Sequence, residues 1–314
     1  MKVLVTGARG FVGSSFGEYA SAHGHEMLGV SRTSQPAPDW PGSYVWADAA
    51  LSDLTPIING FSPDLVVHCA GSASVSASLV SPLDDLRATV LTFANTLESI
   101  RRSDVRPLII FPSSAAVYGN PRHLPVREDA SCHPISPYGF HKLGAEQLVH
   151  EYVVCHQLRA AVCRIFSLIG QRQRRLLLWD LYQQFTGPSD EVVLQGTGEE
   201  TRDYLHVDDL SETFLRLHQC GANELPNGSI VNLASGIETS IRSLALLVKE
   251  ILGSNKRLTF SGTPRPGDPT RWVADCSKLD GIEPGRRISK LAGAIERVVN
   301  SWRGGERREV KGEK

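Results

Sequence analysis

The sequence predicts an α/β fold in which a doubly wound parallel sheet carries a smaller mixed α/β lobe toward its carboxyl end. Two observations support this. Short apolar runs alternate with helical patterns through about residue 165, and the pattern becomes looser after about residue 166. Strands that are apolar throughout, with helices between them, are typical of a parallel sheet covered on both faces.

The predicted elements follow one another in a regular order. The chain opens on a strand, a helix begins at about Phe11, and a long helix is expected over about 76–101. A further helix begins at about Ser136, just before Pro137, which is favoured in a first helical turn. The predicted strands are "KVLVTG", "MLGVS", "YVWAD", "DLVVHCAG", "LIIFPSS" and "AAVCRIF".

The order of elements divides the chain into two parts. Residues 1–165 should form the first part, completed by about 204–235, which includes the strand-like "SIVNLAS". Residues 166–203 and 236–302 should form the lobe over the carboxyl edge of the sheet, where ligands bind in such folds. The polar, charged residues 303–314 are expected to form a flexible tail.

Composition narrows the class of function. The 314 residues carry a net charge of −1, which argues against a nucleic-acid partner and favours a small diffusible substrate. The six cysteines form no CxxC pair, so we expect reduced thiols and no metal site. The chain opens on a strand-like run and contains no apolar run of bilayer length, which predicts a cytoplasmic protein without a membrane partner.

A glycine-rich turn links the first strand to the first helix. In "VTGARGFVG", Gly7, Gly10 and Gly13 form a GxxGxxG pattern. Glycines at this junction let the backbone approach a pyrophosphate, whose charge rests on the helix amides. The pattern therefore predicts dinucleotide binding by a Rossmann fold.

The end of the second strand bears on which dinucleotide binds. An acidic residue here commonly bonds the ribose 2′-hydroxyl of NAD, whereas an arginine accommodates the 2′-phosphate of NADP. This chain has Ser31 followed by Arg32, which favours NADP(H). The alternative is a solvated surface arginine with NAD(H) as cofactor.

The stretch "SPYGFHK" places Tyr138 and Lys142 four residues apart at the start of the predicted helix. Four residues rise about 6 Å and nearly complete a turn, so the phenol and the ammonium share one helix face. A nearby cation lowers the pKa of a phenol, which can then act as a general acid or base. A solvated lysine beside a half-buried ring is the alternative.

Several ordered motifs together resemble the extended short-chain dehydrogenase/reductase family of nucleotide-sugar epimerases, dehydratases and reductases. They cover nearly all of residues 1–302. The motifs are the glycine loop, "HCAG", "FPSSAAVYG", "SPYGFHK", "GTGEETRDYLHVDDL", "RPGD" and "DCSK".

This resemblance implies roles for individual residues. Tyr138 would be the catalytic acid/base, Lys142 would lower its pKa and hold the nicotinamide ribose, and Ser114 would bond the reacting sugar oxygen. The resemblance also implies a homodimer that pairs the long helices near 76–101 and 136–156. The implied cofactor contacts are Gly7, Gly10, Phe11, Val12, Gly13, Asp48, Ala49, Ala70 and Gly71, and the implied substrate contacts are Ser74, Ser114, Ser167, Arg202 and Arg265.

Some positions depart from the family pattern. Thr89 and Ser167 stand where many members have asparagine, and "GQRQRR" adds Arg172, Arg174 and Arg175, which could reach a phosphate or lie in a solvated loop.

The residues after Ser114 bear on the reaction. Dehydratases of this family place acidic residues there, but this chain has Ala115 and Ala116, which cannot move protons. Two enzymatic readings remain. We favour an NADPH-dependent reductase of a nucleotide-linked 4-keto-6-deoxyhexose because of Ser31 and Arg32, with an NAD-dependent 4-epimerase as the alternative. A non-catalytic dinucleotide-binding regulator on the same fold is a remote third.

Overall fold

A computed structural model describes residues 1–37, 39–221, 224–263 and 269–312. Its centre is a seven-stranded parallel sheet with the order β10-β6-β5-β4-β1-β2-β3, so the predicted doubly wound fold is confirmed. Its strands, numbered along the chain, are β1 Lys2–Thr6, β2 Glu26–Ser31, β3 Ser43–Trp46, β4 Leu65–His68, β5 Leu108–Ser114, β6 Arg159–Ile165 and β10 Ile230–Leu233.

Helices cover both faces of this sheet because its strands are apolar on both sides. In β1, Val3 and Val5 face one core, which holds Phe16 and Phe214, while Leu4 faces the other. Successive side chains of a strand point to opposite faces, so a continuous apolar run fills both cores. The helices around the sheet are α1 Phe11–Ala22, α2 Thr55–Phe61, α3 Val75–Val80, α4 Pro82–Leu86, α5 Thr92–Arg102, α6 Pro137–His156 and α8 Val207–Gln219.

The second part of the chain builds a lobe with its own core. A three-stranded sheet has the order β11-β9-β7, and β8 pairs with β12. Tyr182 and Trp302 lie in the core of this lobe, with ring centroids 5.1 Å apart. Its elements are β7 Ser167–Ile169, α7 Leu176–Thr186, β8 Glu191–Leu194, β9 Thr201–His206, β11 Glu238–Ser240, α9 Ile241–Leu252, β12 Arg257–Phe260 and α11 Leu291–Gly312. The short helix α10 Ser277–Ile282 instead packs against β10, with Leu279 in the core of the large sheet.

The strand order reverses beside β1, which lies between β2 and β4. The loops that leave β1 and β4 therefore diverge to opposite faces and open a crevice at the carboxyl ends of the strands. This crevice is where the predicted cofactor and catalytic residues converge.

Two predicted elements differ from the structure. The single helix expected over 76–101 is interrupted after Val80, since Ser81 is non-helical and Pro82 begins a new helix. A π-helical turn at Arg87–Leu91 then joins α4 to α5. Helix formation continues beyond residue 303 as far as Gly312, in a segment rich in Glu, Arg and Lys, which are good helix formers, and the flexibility expected of the tail over 303–314 stays a prediction.

Membrane spanning and metal binding were both expected to be absent. Within the described ranges, no helix combines the length and apolarity needed to cross a bilayer. The same residues contain no cluster of three or more His, Cys, Asp or Glu side chains arranged to share a metal ion.

Candidate active site

The glycine loop is packed too tightly for side chains at two positions. Gly7 has φ +66°, and a Cβ on it would lie 2.5 Å from the Ala70 nitrogen. A Cβ on Gly13 would lie 2.5 Å from the Gly7 carbonyl oxygen. Glycine at both positions therefore lets α1 begin directly behind β1, close to the loop that follows β4.

The start of α1 suits an anionic ligand. Gly10 is the N-cap residue and has no side chain to cap the helix. The first-turn amides, including those of Phe11 and Val12, point out of the helix end, where a phosphate can accept their hydrogen bonds. The residues predicted to surround a dinucleotide pyrophosphate therefore fit that group.

Exposed arginines lie at the ends of two adjacent strands. Arg32 follows β2 and is solvent-exposed, and its carbonyl oxygen accepts a hydrogen bond from Trp46 Nε1 at 3.2 Å. Arg9, within the glycine loop, is also exposed and donates from Nη1 to the Gln35 carbonyl oxygen at 3.2 Å. Arg9 was not among the predicted cofactor contacts, although its position between Gly7 and Gly10 marks it in the sequence.

Other predicted cofactor contacts lie along the same sheet edge. Asp48 follows β3, and its Oδ1 accepts a hydrogen bond from the Ala50 amide at 2.9 Å. Ala49 is buried beside it. After β4, the Ala70 amide donates to Thr6 Oγ1 at 3.3 Å, and Gly71 follows with φ +148°. Ser31 ends β2, so all these residues lie at carboxyl ends of parallel strands.

The first turn of α6 is capped at each position. Ser136 is the N-cap and its Oγ accepts from the Gly139 amide at 3.3 Å, while Pro137 has no amide hydrogen to satisfy. The Tyr138 amide donates to Ser78 Oγ in α3 at 3.1 Å. This capping fixes the helix start and thereby the directions of Tyr138 and Lys142.

Lys142 is a buried cation. Lys142 is 7% exposed. Its Nζ donates a hydrogen bond to the Pro112 carbonyl oxygen at 2.8 Å and lies 4.9 Å from the Phe111 ring centroid. Burial lowers the pKa of Lys142 to about 8, while Cys69, Asp85 and Glu146 act in the opposite direction. The ammonium of Lys142 therefore begins to lose its proton near pH 8.

The hydroxyl of Tyr138 is hydrogen-bonded to the side chain of Ser114. Burial raises the pKa of Tyr138 to about 12, the hydrogen bond with Ser114 lowers it, and Asp85 raises it. Ser114 Oγ is itself held by the Ala116 amide at 3.2 Å. The chain thus brings Ser114, Tyr138 and Lys142 into one cluster at the end of β5, in which Lys142 is buried and the other two side chains are partly exposed.

The expected lowering of the Tyr138 pKa by Lys142 requires Nζ to approach the phenol hydroxyl, and in this arrangement Nζ is directed elsewhere. Lys142 Nζ lies 5.9 Å from the Tyr138 ring centroid and bonds Pro112 instead. Desolvation of the phenol outweighs the Ser114 hydrogen bond in this arrangement.

The predicted substrate residues are less tightly grouped. Ser74 caps α3 through an Oγ bond from the Ala77 amide at 3.1 Å, and Ser167 begins β7. Arg202 donates from Nη1 to the carbonyl oxygens of Thr201 and Pro269, both at 2.8 Å. Arg265 lies outside the described residues.

Two arginines of the "GQRQRR" run have contacts within the chain. Arg172 pairs with Glu18 of α1 at 2.8 Å. The Arg174 guanidinium lies 4.8 Å from the Trp179 ring centroid and donates to the Gln171 carbonyl oxygen. These contacts give both side chains structural roles, and Arg175 precedes α7 as its N-cap.

Comparison with known proteins identifies the family. The model of the NAD dependent epimerase/dehydratase family matches residues 3–234, which is well over half of the chain. The chain belongs to this family. The resemblance to the extended short-chain dehydrogenase/reductases is thereby confirmed, and the chain is an enzyme of that class.

Individual members of the epimerase/dehydratase family align over most of the chain. A UDP-glucose 4-epimerase of Mycolicibacterium smegmatis is 28% identical, covering 96% of this chain and 99% of that protein. A GDP-6-deoxy-D-mannose reductase of Pseudomonas aeruginosa is 29% identical over 80% of each. A structure of the UDP-glucose 4-epimerase of Stenotrophomonas maltophila, with bound NAD and formylated UDP-arabinopyranose, has a TM-score of 0.87 at 25% identity, covering 98% of this chain and 99% of that one.

Proposed function

We propose that this protein is an NAD-dependent nucleotide-hexose 4-epimerase. The observation that carries the proposal is the cluster of Ser114, Tyr138 and Lys142 at the crevice beside the glycine loop. Similarity to several UDP-glucose 4-epimerases supports the choice of reaction. The reductase that Ser31 and Arg32 favour becomes the second candidate.

In this proposal Tyr138 moves the proton and Ser114 orients the oxygen. As the C4 hydroxyl is oxidised, its proton would pass to Tyr138 in its phenolate form, which a positively charged nicotinamide favours, and the carbon–oxygen double bond forms. Ser114 bonds the same sugar oxygen and holds it in line with the phenol. NAD held at the glycine loop would accept the C4 hydrogen as hydride and return it.

Lys142 keeps a positive charge beside the site where the phenolate develops. A buried ammonium stabilises an anion more strongly than one in water does. Return of the hydride to the opposite face of C4, with the proton returned from Tyr138 to the C4 oxygen, would complete the inversion, and the reaction is redox-neutral.

The test is incubation of the purified protein with UDP-glucose and NAD, followed by separation of the products. We expect the C4 epimer, UDP-galactose, to form without net change in nicotinamide absorbance. A panel of UDP-, GDP-, dTDP- and CDP-hexoses identifies the preferred nucleotide. Failure of every hexose to epimerise would count against the proposal.

A second candidate is an NADPH-dependent reductase of a nucleotide-linked 4-keto-6-deoxyhexose. It is favoured by the exposed Arg32 at the end of β2 and by similarity to the GDP-6-deoxy-D-mannose reductase. The same three residues would serve it, since proton transfer to the sugar oxygen is common to both reactions. Consumption of one NADPH per turnover with a 4-keto substrate would distinguish it.

Under the reductase candidate, replacing Arg32 by alanine is expected to weaken NADPH binding by about tenfold or more and to leave NADH binding almost unchanged. A charge-assisted bond to a phosphate contributes about 1.5–3 kcal/mol, and only NADPH carries the 2′-phosphate. The measurement is titration of both reduced cofactors. Arg257→Ala, an exposed arginine of β12, is the control. Equal effects on the two cofactors would show that Arg32 does not read the 2′-position.

We further propose that the protein forms a homodimer through the helices that flank the active site. Phe140 in α6 is 58% exposed, and Leu83 and Leu91, which precede α5, are 55% and 50% exposed. Pairing with a second copy would bury such apolar side chains. The dimer, the cytoplasmic location and the boundaries of the two parts stay predictions.

A further inference from the structure

The first turns of α6 are tied to the short helices α3 and α4 by two side-chain contacts. One is the bond from the Tyr138 amide to Ser78 Oγ at 3.1 Å. The other joins His141 Nδ1 to Asp85 Oδ2 at 2.6 Å. The side chains of Asp85 and His141 are only 3% and 16% exposed. His141 lies between Tyr138 and Lys142 in sequence, and Asp85 lies on the neighbouring helix α4.

The second carboxylate oxygen of Asp85 takes no part in the contact with His141. Its Oδ1 is buried and has no hydrogen-bond partner among the described residues. A carboxylate with an unpaired buried oxygen is costly, so its presence calls for a compensating interaction. Asp85 raises the pKa of Tyr138 and favours the charged form of Lys142, and its bond to His141 holds it against the helical turn that carries both residues.

The other groups around Lys142 cannot supply the same charge as readily. Burial raises the pKa of the Cys69 thiol, which is therefore neutral. Burial lowers the pKa of His68 to about 3, so this imidazole is also neutral. Glu146 is bonded to the guanidinium of Arg164 at 2.7 Å, which compensates its charge.

We propose that Asp85, oriented by His141, is a positioning residue that holds the start of α6 and supplies the negative charge facing Tyr138 and Lys142. A neutral imidazole protonated on Nδ1 can donate the bond to Asp85, so His141 can orient the carboxylate without neutralising it. The activity arm of the test rests on the proposed epimerase function, whereas the titration arm does not.

Removing the carboxylate has a definite sign. Asp85 stabilises the ammonium of Lys142, so Asp85→Asn should lower the pKa of Lys142 further below about 8. Lys142 then loses its proton at lower pH, and the alkaline limb of kcat/KM should move down by about one pH unit. His141→Leu keeps the carboxylate, so it should not lower that pKa, while loss of orientation should slow turnover about tenfold. His141→Asn restores a donor near the Nδ1 position and should recover most of the rate.

The experiment follows Lys142 directly by NMR of the full chain with ¹³C-labelled lysine side chains, assigned through Lys142→Met. Titrations are compared for the wild type, Asp85→Asn, His141→Leu and His141→Asn, with and without NAD. Asp84→Asn is the matched control. Asp84 is the residue next to Asp85 on α4, and its own side chain is 73% exposed. Profiles of kcat/KM against pH are recorded in parallel with the sugar that proves to be the substrate.

A downward shift of the Lys142 titration in Asp85→Asn but not in Asp84→Asn supports the proposal, even if UDP-glucose is not a substrate. An unchanged Lys142 titration in a folded Asp85→Asn protein overturns it. If Asp85→Asn does not fold, the histidine variants decide. The proposal fails if His141→Leu lowers the Lys142 pKa or if His141→Asn is as slow as His141→Leu.

Discussion

Tyr138→Phe is expected to reduce turnover by about 100-fold or more while leaving the fold intact. The ring and its packing remain, but the oxygen that exchanges the proton with the sugar is lost. Turnover is measured with the sugar identified above, and thermal unfolding reports on the fold. Tyr152→Phe is the matched control because it lies on the same helix and its hydroxyl contacts Glu98 at 3.3 Å, away from the cluster. Near-normal turnover in Tyr138→Phe would exclude Tyr138 as the acid/base.

The high pKa of Tyr138 before a dinucleotide binds leads to a second prediction. Burial holds its pKa at about 12, so the hydroxyl is protonated at neutral pH. A bound dinucleotide with a positively charged nicotinamide should favour the phenolate, as should any approach of Lys142. Spectroscopic titration should therefore find a lower Tyr138 pKa when NAD is bound than when it is absent.

The parts of the fold that could be predicted are those coded by local pattern. Strands such as β4 and β5 are apolar throughout because helices cover both of their faces. The start of α6 was indicated by Ser136 and Pro137, an N-cap followed by a residue that suits the first turn. The glycine loop was indicated by the spacing of its glycines. The structure gives the reason for that spacing, because Gly7 and Gly13 have no room for a Cβ.

The parts that could not be predicted depend on contacts between distant residues. The pairing of Asp85 with His141 joins two helices and leaves no periodic signal in the sequence. The direction of Lys142 was also hidden, because its spacing from Tyr138 fixes the helix face but not whether Nζ bonds Pro112 or approaches the phenol. Pro82 did mark a helix boundary, and the expectation of one long helix gave it too little weight.

The choice between epimerase and reductase is hard to read from sequence for a chemical reason. Both reactions pass a hydride and a proton at the same sugar carbon and oxygen, so both can use Ser114, Tyr138 and Lys142. The difference lies in whether the hydride returns to the same sugar or is replaced from a pool of reduced cofactor. The sequence preference for the reductase rested on Ser31 and Arg32, which is weaker support than the several 4-epimerases that align along most of the chain.

Lys142→Met is expected to slow turnover about 100-fold and to weaken dinucleotide binding, yet to leave the protein at least as stable at neutral pH. The loss of activity follows because the charge beside the developing phenolate is removed. The stability follows from linkage. Burial depresses the pKa of Lys142 from 10.5 to about 8, so below pH 8 the folded state carries an ammonium that the unfolded chain solvates better.

The free-energy cost of burying the charged lysine should disappear as pH rises from about 8 through 10.5. In this range the unfolded state binds more protons than the folded state, so the stability of the wild type increases relative to that of Lys142→Met. Methionine fills a similar volume without a charge to desolvate, although the Pro112 carbonyl loses its donor. Denaturant unfolding of both proteins at pH 7 and pH 9.5 measures the effect, with exposed Lys290→Met as the control. A Lys142→Met protein that is inactive and clearly less stable at pH 7 would mean that the lysine holds the fold together. A stable but inactive protein would mean that this buried charge is kept for the reaction.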